Sequence, residues 1–165
     1  MNRTCIVVAD AGTARFFGVE AVDSPRDGVR LVERATMTHP DLMTLGQSMT
    51  GRAHTETNAN RQAGPMHPMV AQRERHRMEL NRRFGNEIAL QAAMITRGWK
   101  NGTVVLVAAP QLLGLIREDL RDALDPGIEL KELAKDYVNL TPGELRDHLA
   151  LNTLIPSRRS NAAAG

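Results

Sequence analysis

The residues best suited to binding chemistry lie in one part of the chain, between residues 44 and 83. Residues 37–85 contain seven arginines and four acidic residues, whereas the whole chain of 165 residues has a net charge of only +2. Guanidinium groups bind phosphates through paired hydrogen bonds, and each neutralised phosphate releases counterions. The arginines are Arg52, Arg61, Arg73, Arg75, Arg77, Arg82 and Arg83. Their clustering predicts a surface that attracts phosphate groups.

An ordinary solvated surface is the alternative interpretation of these arginines. Glu74 and Glu79 lie among them and can form ion pairs with them across one helical turn. No aromatic residues alternate with the arginines, so base stacking on single-stranded RNA is disfavoured. Structured RNA, recognised through its backbone, is the better match to this pattern.

Metal-dependent phosphoryl transfer has little support in the sequence. Two-metal chemistry needs several carboxylates converging on the cations. Asp10 lies at the end of the first strand, but the fourth strand ends Val107-Ala108-Ala109-Pro110, with no acidic residue. We therefore expect Asp10 to cap a hairpin turn. The histidines are too dispersed for a zinc site, and no glycine-rich phosphate loop is present, so neither a metal nor a cofactor is predicted.

Two continuous apolar runs, residues 4–10 and 103–109, predict strands that are buried on both faces of a sheet. Residues 13–20 and 29–35 add two antiparallel strands, and residues 128–133 alternate like an edge strand. With right-handed crossovers, these elements predict an α/β fold. It is a ribonuclease H-like five-stranded mixed sheet of order 3-2-1-4-5, with helices on both faces.

Three helices are expected to complete this fold. Residues 68–97 carry an apolar stripe only in their second half, so the first half should protrude into solvent. A second helix should begin at Pro110. Thr141 and Glu144, with proline between them, form the sequence signature of a capping box for the last helix. The stripe of the long helix consists of Leu80, Phe84, Ile88, Ala92 and Ile95.

The sequence predicts one domain over residues 1–156, with a mobile loop at 37–66 and a frayed tail at 157–165. The loop is rich in Gly, Thr, Asn and Gln and shows no apolar periodicity. Cys5, the single cysteine, excludes an internal disulfide and lies in a predicted buried strand. No apolar run is long enough for a signal peptide or a membrane span. The cytoplasm is therefore the expected location, and no membrane partner is predicted.

Four segments together resemble the bacterial host-attachment protein family. They are VVADAGTARFF (7–17), GRAHTET (51–57), VLVAAPQLLGLIREDL (105–120) and KDYVNLTPGELRDHL (135–149). The family fold is similar to the middle domain of archaeal and eukaryotic peptide-chain release factors. In those factors the loop before the long helix carries Gly-Gly-Gln. This chain has Leu45-Gly46-Gln47 at the same position, with one glycine fewer, so the catalytic role is not carried over to Gln47.

The resemblance and the charge distribution together imply a non-catalytic, translation-factor-like domain. It would bind the ribosome, tRNA or other structured RNA through residues 44–83, with Gln47 and His54 contributing from the loop. Two alternatives remain. One is a protein-interaction module that regulates attachment to host cells, in which the 37–66 loop becomes ordered on a protein partner. The other is a hydrolase acting on RNA or peptidyl-tRNA.

Overall fold

A computed structural model describes residues 3–23, 28–43 and 67–156 of the chain. Within them, five strands form one sheet in the order β3-β2-β1-β4-β5. The strands are β1 Arg3–Asp10, β2 Thr13–Ala21, β3 Val29–Thr38, β4 Gly102–Ala108 and β5 Ile128–Ala134. β1 and β3 each run antiparallel to β2, whereas β4 runs parallel to both β1 and β5. The predicted α/β fold and strand order are confirmed.

Helices cover both faces of the sheet. They are α1 His67–Thr96, α2 Pro110–Ala123 and α3 Pro142–Leu151. Cys5, Val7 and Ala9 of β1 pack into a core with α1 and α2, while Ile6 and Val8 pack into a second core with α3. Every residue of β4 is buried. The two apolar runs therefore occupy the sheet centre, since only there do both faces of a strand receive cover.

Helix α1 is mostly exposed over residues 69–79 and has a buried face from Leu80 onward. The predicted stripe from Leu80 to Ala92 is buried against the sheet and α2, and Ile95 packs at its end. Residues 69–79 are exposed or only half-buried. At 1.5 Å of rise per residue, residues 67–79 form a rod about 20 Å long. The predicted division of this helix into a packed half and a protruding half is confirmed.

The start of α3 matches its predicted capping box. The Thr141 hydroxyl accepts a hydrogen bond from the Glu144 backbone N–H at 3.2 Å, and the Glu144 carboxylate accepts one from the Thr141 N–H at 3.4 Å. Leu140 and Leu145, on either side of the cap, pack in the same core. This reciprocal pairing satisfies backbone donors that the first helical turn leaves open.

Strand β3 is longer than the sequence indicated. It continues to Thr38, so the expectation that a loop begins at Met37 is wrong by two residues. The reason lies in β2, whose first residues pair with Met37 and Thr38. A helical turn follows at residues 40–43, and its Leu42 is buried. The remainder of the predicted loop, residues 44–66, and the predicted tail at 157–165 lie outside the described residues.

None of the helices in the described ranges combines the length and the apolar character needed to cross a membrane.

Candidate functional site

The protruding half of α1 extends past the edge of the sheet at which β1 ends. The direction follows from the chain path, because α1 leads into β4, whose first residue Gly102 pairs with Arg3 at the beginning of β1. The exposed start of α1 therefore lies near the opposite end of β1, close to the turn between β1 and β2. His39, directly after β3, places its ring edge-on to that of Phe84 at a centroid distance of 5.9 Å. Phe84 thus marks where the helix passes this edge.

Asp10 is the last residue of β1, and its side chain stabilises the turn between β1 and β2. Its Oδ1 accepts a hydrogen bond from the Thr13 backbone N–H at 3.1 Å, which confirms the predicted capping role. Burial raises the pKa of Asp10, the Thr13 hydrogen bond opposes that rise, and the nearby Asp136 carboxylate adds to it. One acidic neighbour and a structural hydrogen bond do not make a cation site. Among the described residues, no three His, Cys, Asp or Glu side chains converge as metal ligands would.

Gly12, in the turn between β1 and β2, contacts the segment that follows β3. Its φ of +102° is a conformation that other residues rarely adopt, and a Cβ there would lie 2.7 Å from Cγ of Met43. The His39 backbone N–H donates to the Gly12 carbonyl oxygen at 2.7 Å. The hairpin turn, the 40–43 turn and α1 are thus held together where the 44–66 segment begins.

Five of the predicted contact residues belong to α1. At 100° per residue, Arg73 and Arg77 share one side of the helix, and Arg75 and Arg82 share a side roughly opposite. Positive charge is therefore distributed around the protruding helix instead of forming a single stripe. The other predicted contact residues, Gln47, Arg52, His54 and Arg61, lie outside the described residues, so their roles stay predictions.

Arg83 and Arg82 each have an acidic residue nearby. Arg83 pairs with Glu79 one turn earlier, at 3.0 Å, with both side chains largely exposed. Such a surface pair contributes only about 0–1 kcal/mol, so a phosphate could replace the carboxylate at little cost. Burial raises the pKa of Asp119 on α2, and the Asp122 and Glu118 carboxylates add to that rise. The nearby Arg82 guanidinium opposes the rise without reversing it. The helix ion pair expected under the solvated-surface interpretation is therefore present for Arg83.

Two buried polar atoms near this edge lack hydrogen-bond partners within the described part of the chain, Nδ1 of His39 and Oδ1 of Asn81. A buried polar atom without a partner typically costs about 1–3 kcal/mol. Sequence reasoning assigned neither residue a role at this edge. Asn81 comes directly after Leu80, the first buried residue in the described part of α1. A polar residue next to the apolar stripe is the sequence signal that could have identified it.

The described structure defines a class of protein: an α/β domain with a long basic helix that packs on one face of the sheet and extends past the end of β1 into solvent. Residues 5–149 match the family described as "Protein required for attachment to host cells". The match spans most of the 165 residues, and the chain belongs to this family. No curated protein was found to match the chain.

Proposed function

We propose that this host-attachment family protein is a cytoplasmic, non-catalytic, translation-factor-like domain that binds the ribosome or other structured RNA through residues 44–83. The observation that carries the proposal is the protruding half of α1, which places arginines on opposite sides of an exposed rod. Positive charge on two sides of a helix suits an RNA groove, where phosphates line both walls. Backbone contacts of this kind need no aromatic platform.

The resemblance to release-factor middle domains supports the same kind of partner. In both, a sequence rich in polar residues separates the third strand from a long helix. The proposal gives Asp10 a structural role, because its Oδ1 accepts a hydrogen bond from the Thr13 N–H in the hairpin turn. It also assigns Gln47 a contact role and no catalytic one, since one glycine precedes it where the release factors have two.

Filter binding with tRNA and purified ribosomes across a salt series tests the proposal. The logarithm of the binding constant should fall linearly with the logarithm of salt concentration, with a slope of about 0.7–0.9 per neutralised phosphate. Arg75→Gln should weaken binding to all RNAs and reduce the slope by about one contact. Arg121→Gln is the matched control, because Arg121 is an exposed arginine on α2 outside the proposed interface.

Binding that is absent even at low salt would refute the proposal. An equal loss in the Arg75 and Arg121 variants would also refute it, because it would show that total charge, and not the protruding helix, governs the interaction.

A protein partner is the second candidate, and one observation favours it. Met69, Val70 and Met78 on the protruding half of α1 are each at least half exposed. Methionine side chains adapt to varied apolar surfaces, as docking sites require. A protein partner captured after nuclease treatment, released by Met78→Ser and retained by Arg75→Gln, would favour this function over RNA binding.

A further inference from the structure

A cleft lies at the opposite edge of the sheet, where β1 and β4 begin. Its volume is about 410 Å³, within the range that holds small organic ligands. Gly18 of β2 and Arg34 of β3 line one side of the cleft. Ile95, in the last turn of α1, and Trp99, just after that helix, line another side, and Arg3 of β1 completes the cleft. Two guanidinium groups and an indole from separate elements thus meet around one space.

Arg34 reaches the cleft because of a β-bulge. Phe16 pairs with Ala35 but the next residue, Phe17, pairs with Glu33, which leaves Arg34 as the extra residue of β3. Bulges redirect side chains in this way and are frequent beside functional sites. The guanidinium then lies across Gly18, where an added Cβ would be only 3.1 Å from its Nε. A glycine within a strand often marks such a close approach.

Each of the two guanidinium groups contacts another side chain. Glu20 accepts a hydrogen bond from Arg34 at 2.5 Å, yet the Arg34 side chain remains 50% exposed. The Arg3 guanidinium lies over the Trp99 ring, 5.8 Å from its centroid, as in a cation–π pair. Trp99 in turn packs on Gly102, where a Cβ would lie 2.6 Å from the indole.

The charges around the cleft do not balance. Glu20 also pairs with Arg30 at 2.9 Å, so this single carboxylate serves two arginines. With Arg3 added, three arginines accompany this one carboxylate among the residues that the structure describes here. The local excess favours an anion, and arginine binds phosphates and carboxylates through two parallel hydrogen bonds.

We propose that this cleft binds a small organic anion, with its phosphate or carboxylate on Arg3 and Arg34 and its apolar body against Ile95 and Trp99. The site goes beyond the proposed RNA interface. It lies at the other edge of the sheet and shares none of the arginines assigned to RNA.

Trp99 is the only tryptophan in the chain, so its fluorescence reports on the cleft directly. The probes are adenosine monophosphate, benzoate and inorganic phosphate. We expect a saturable change with adenosine monophosphate if the site takes phosphates, or with benzoate if it takes carboxylates. Inorganic phosphate should bind more weakly than the better organic probe, because it has no apolar body to place against Ile95.

Arg34→Gln should weaken binding of the better probe by about tenfold or more, since it removes a charged hydrogen-bonding group. Gly18→Ala should also weaken it, because the added methyl group displaces the Arg34 guanidinium. The matched control is Arg30→Gln, which loses the same charge from the same Glu20 partner but does not line the cleft, and it should retain near-normal affinity.

Two results would overturn the proposal in protein shown to be folded by circular dichroism. One is the lack of any saturable response to adenosine monophosphate or benzoate at millimolar concentration. The other is an equal loss of affinity in Arg30→Gln and Arg34→Gln, which would indicate diffuse charge attraction in place of a defined site.

Discussion

Arg15 of β2 hydrogen-bonds to the segment that connects β5 and α3 and holds it against the sheet. Its Nη1 donates to the carbonyl oxygens of Val138 at 2.9 Å and Leu140 at 2.7 Å. Its Nε and Nη2 donate to the two carboxylate oxygens of Glu33 at 3.0 and 3.1 Å. The guanidinium also lies 4.9 Å from the centroid of the Phe17 ring. One side chain therefore joins two strands to a segment more than a hundred residues away.

Replacing Arg15 with methionine keeps most of the aliphatic stem and removes every one of these hydrogen bonds. Each bond from a charged donor to a carbonyl contributes about 1.5–3 kcal/mol, so losing two costs at least about 3 kcal/mol. Val138 is buried, and its carbonyl oxygen would lose this charged donor. The ion pair with Glu33 adds only about 0–1 kcal/mol, because the Glu33 side chain is partly exposed. We expect a total loss of about 3–4 kcal/mol.

Urea unfolding followed by circular dichroism measures this loss, and Glu33→Gln is the matched control. The control removes the ion pair and leaves the carbonyl contacts, so it should cost less than about 1 kcal/mol. The double variant should then resemble Arg15→Met alone, because the pair is already broken in it. If Glu33→Gln is as destabilising as Arg15→Met, the ion pair and not the carbonyl contacts holds the connection, and the reasoning fails.

Three further predictions concern single side chains. Thr141→Ala should destabilise the protein by about 1 kcal/mol in urea unfolding, and Thr141→Ser should restore most of it, because the cap needs only a hydroxyl oxygen. Burial raises the pKa of Cys5 to about 12, so iodoacetamide at pH 8 should label it only after unfolding, and native-state labelling at the rate of a free thiol would contradict this. The raised pKa of Asp119 means that its ionisation opposes folding, so stability falls as pH rises through that pKa. Asp119→Asn should therefore raise the melting temperature at pH 7, with the gain shrinking as the pH falls toward 3.8, and an unchanged or lower value at pH 7 would contradict the sign.

The sheet could be predicted because its signals are local and strong. Residues 4–10 and 103–109 are continuous apolar runs, and only central strands bury both faces, so their adjacency followed from burial alone. The capping box at Thr141 could also be predicted from the sequence, since both of its hydrogen bonds join residues within a stretch of four.

The bulge at Arg34 and the contacts of Arg15 could not be predicted in this way. Register between β2 and β3 depends on which residues face the cores, and a slip by one position changes which side chain is unpaired. Arg15 reads in the sequence as an exposed arginine between Ala14 and Phe16. Its partners at Val138 and Leu140 are backbone carbonyls, which every residue possesses, so no residue type could indicate them.

The two halves of α1 should differ in amide hydrogen exchange. A helical segment as short as residues 69–79 is marginal in water without packing, whereas Leu80, Phe84 and Ile88 hold the second half against the sheet. We expect fast exchange before Leu80 and slow exchange from Phe84 to Ala92. Structured RNA bound along the protruding half should slow exchange there and leave the packed half unchanged. Uniform slow exchange along the whole helix without RNA would show that the first half is already stabilised within the free protein, and it would remove the exposed rod on which the RNA proposal depends.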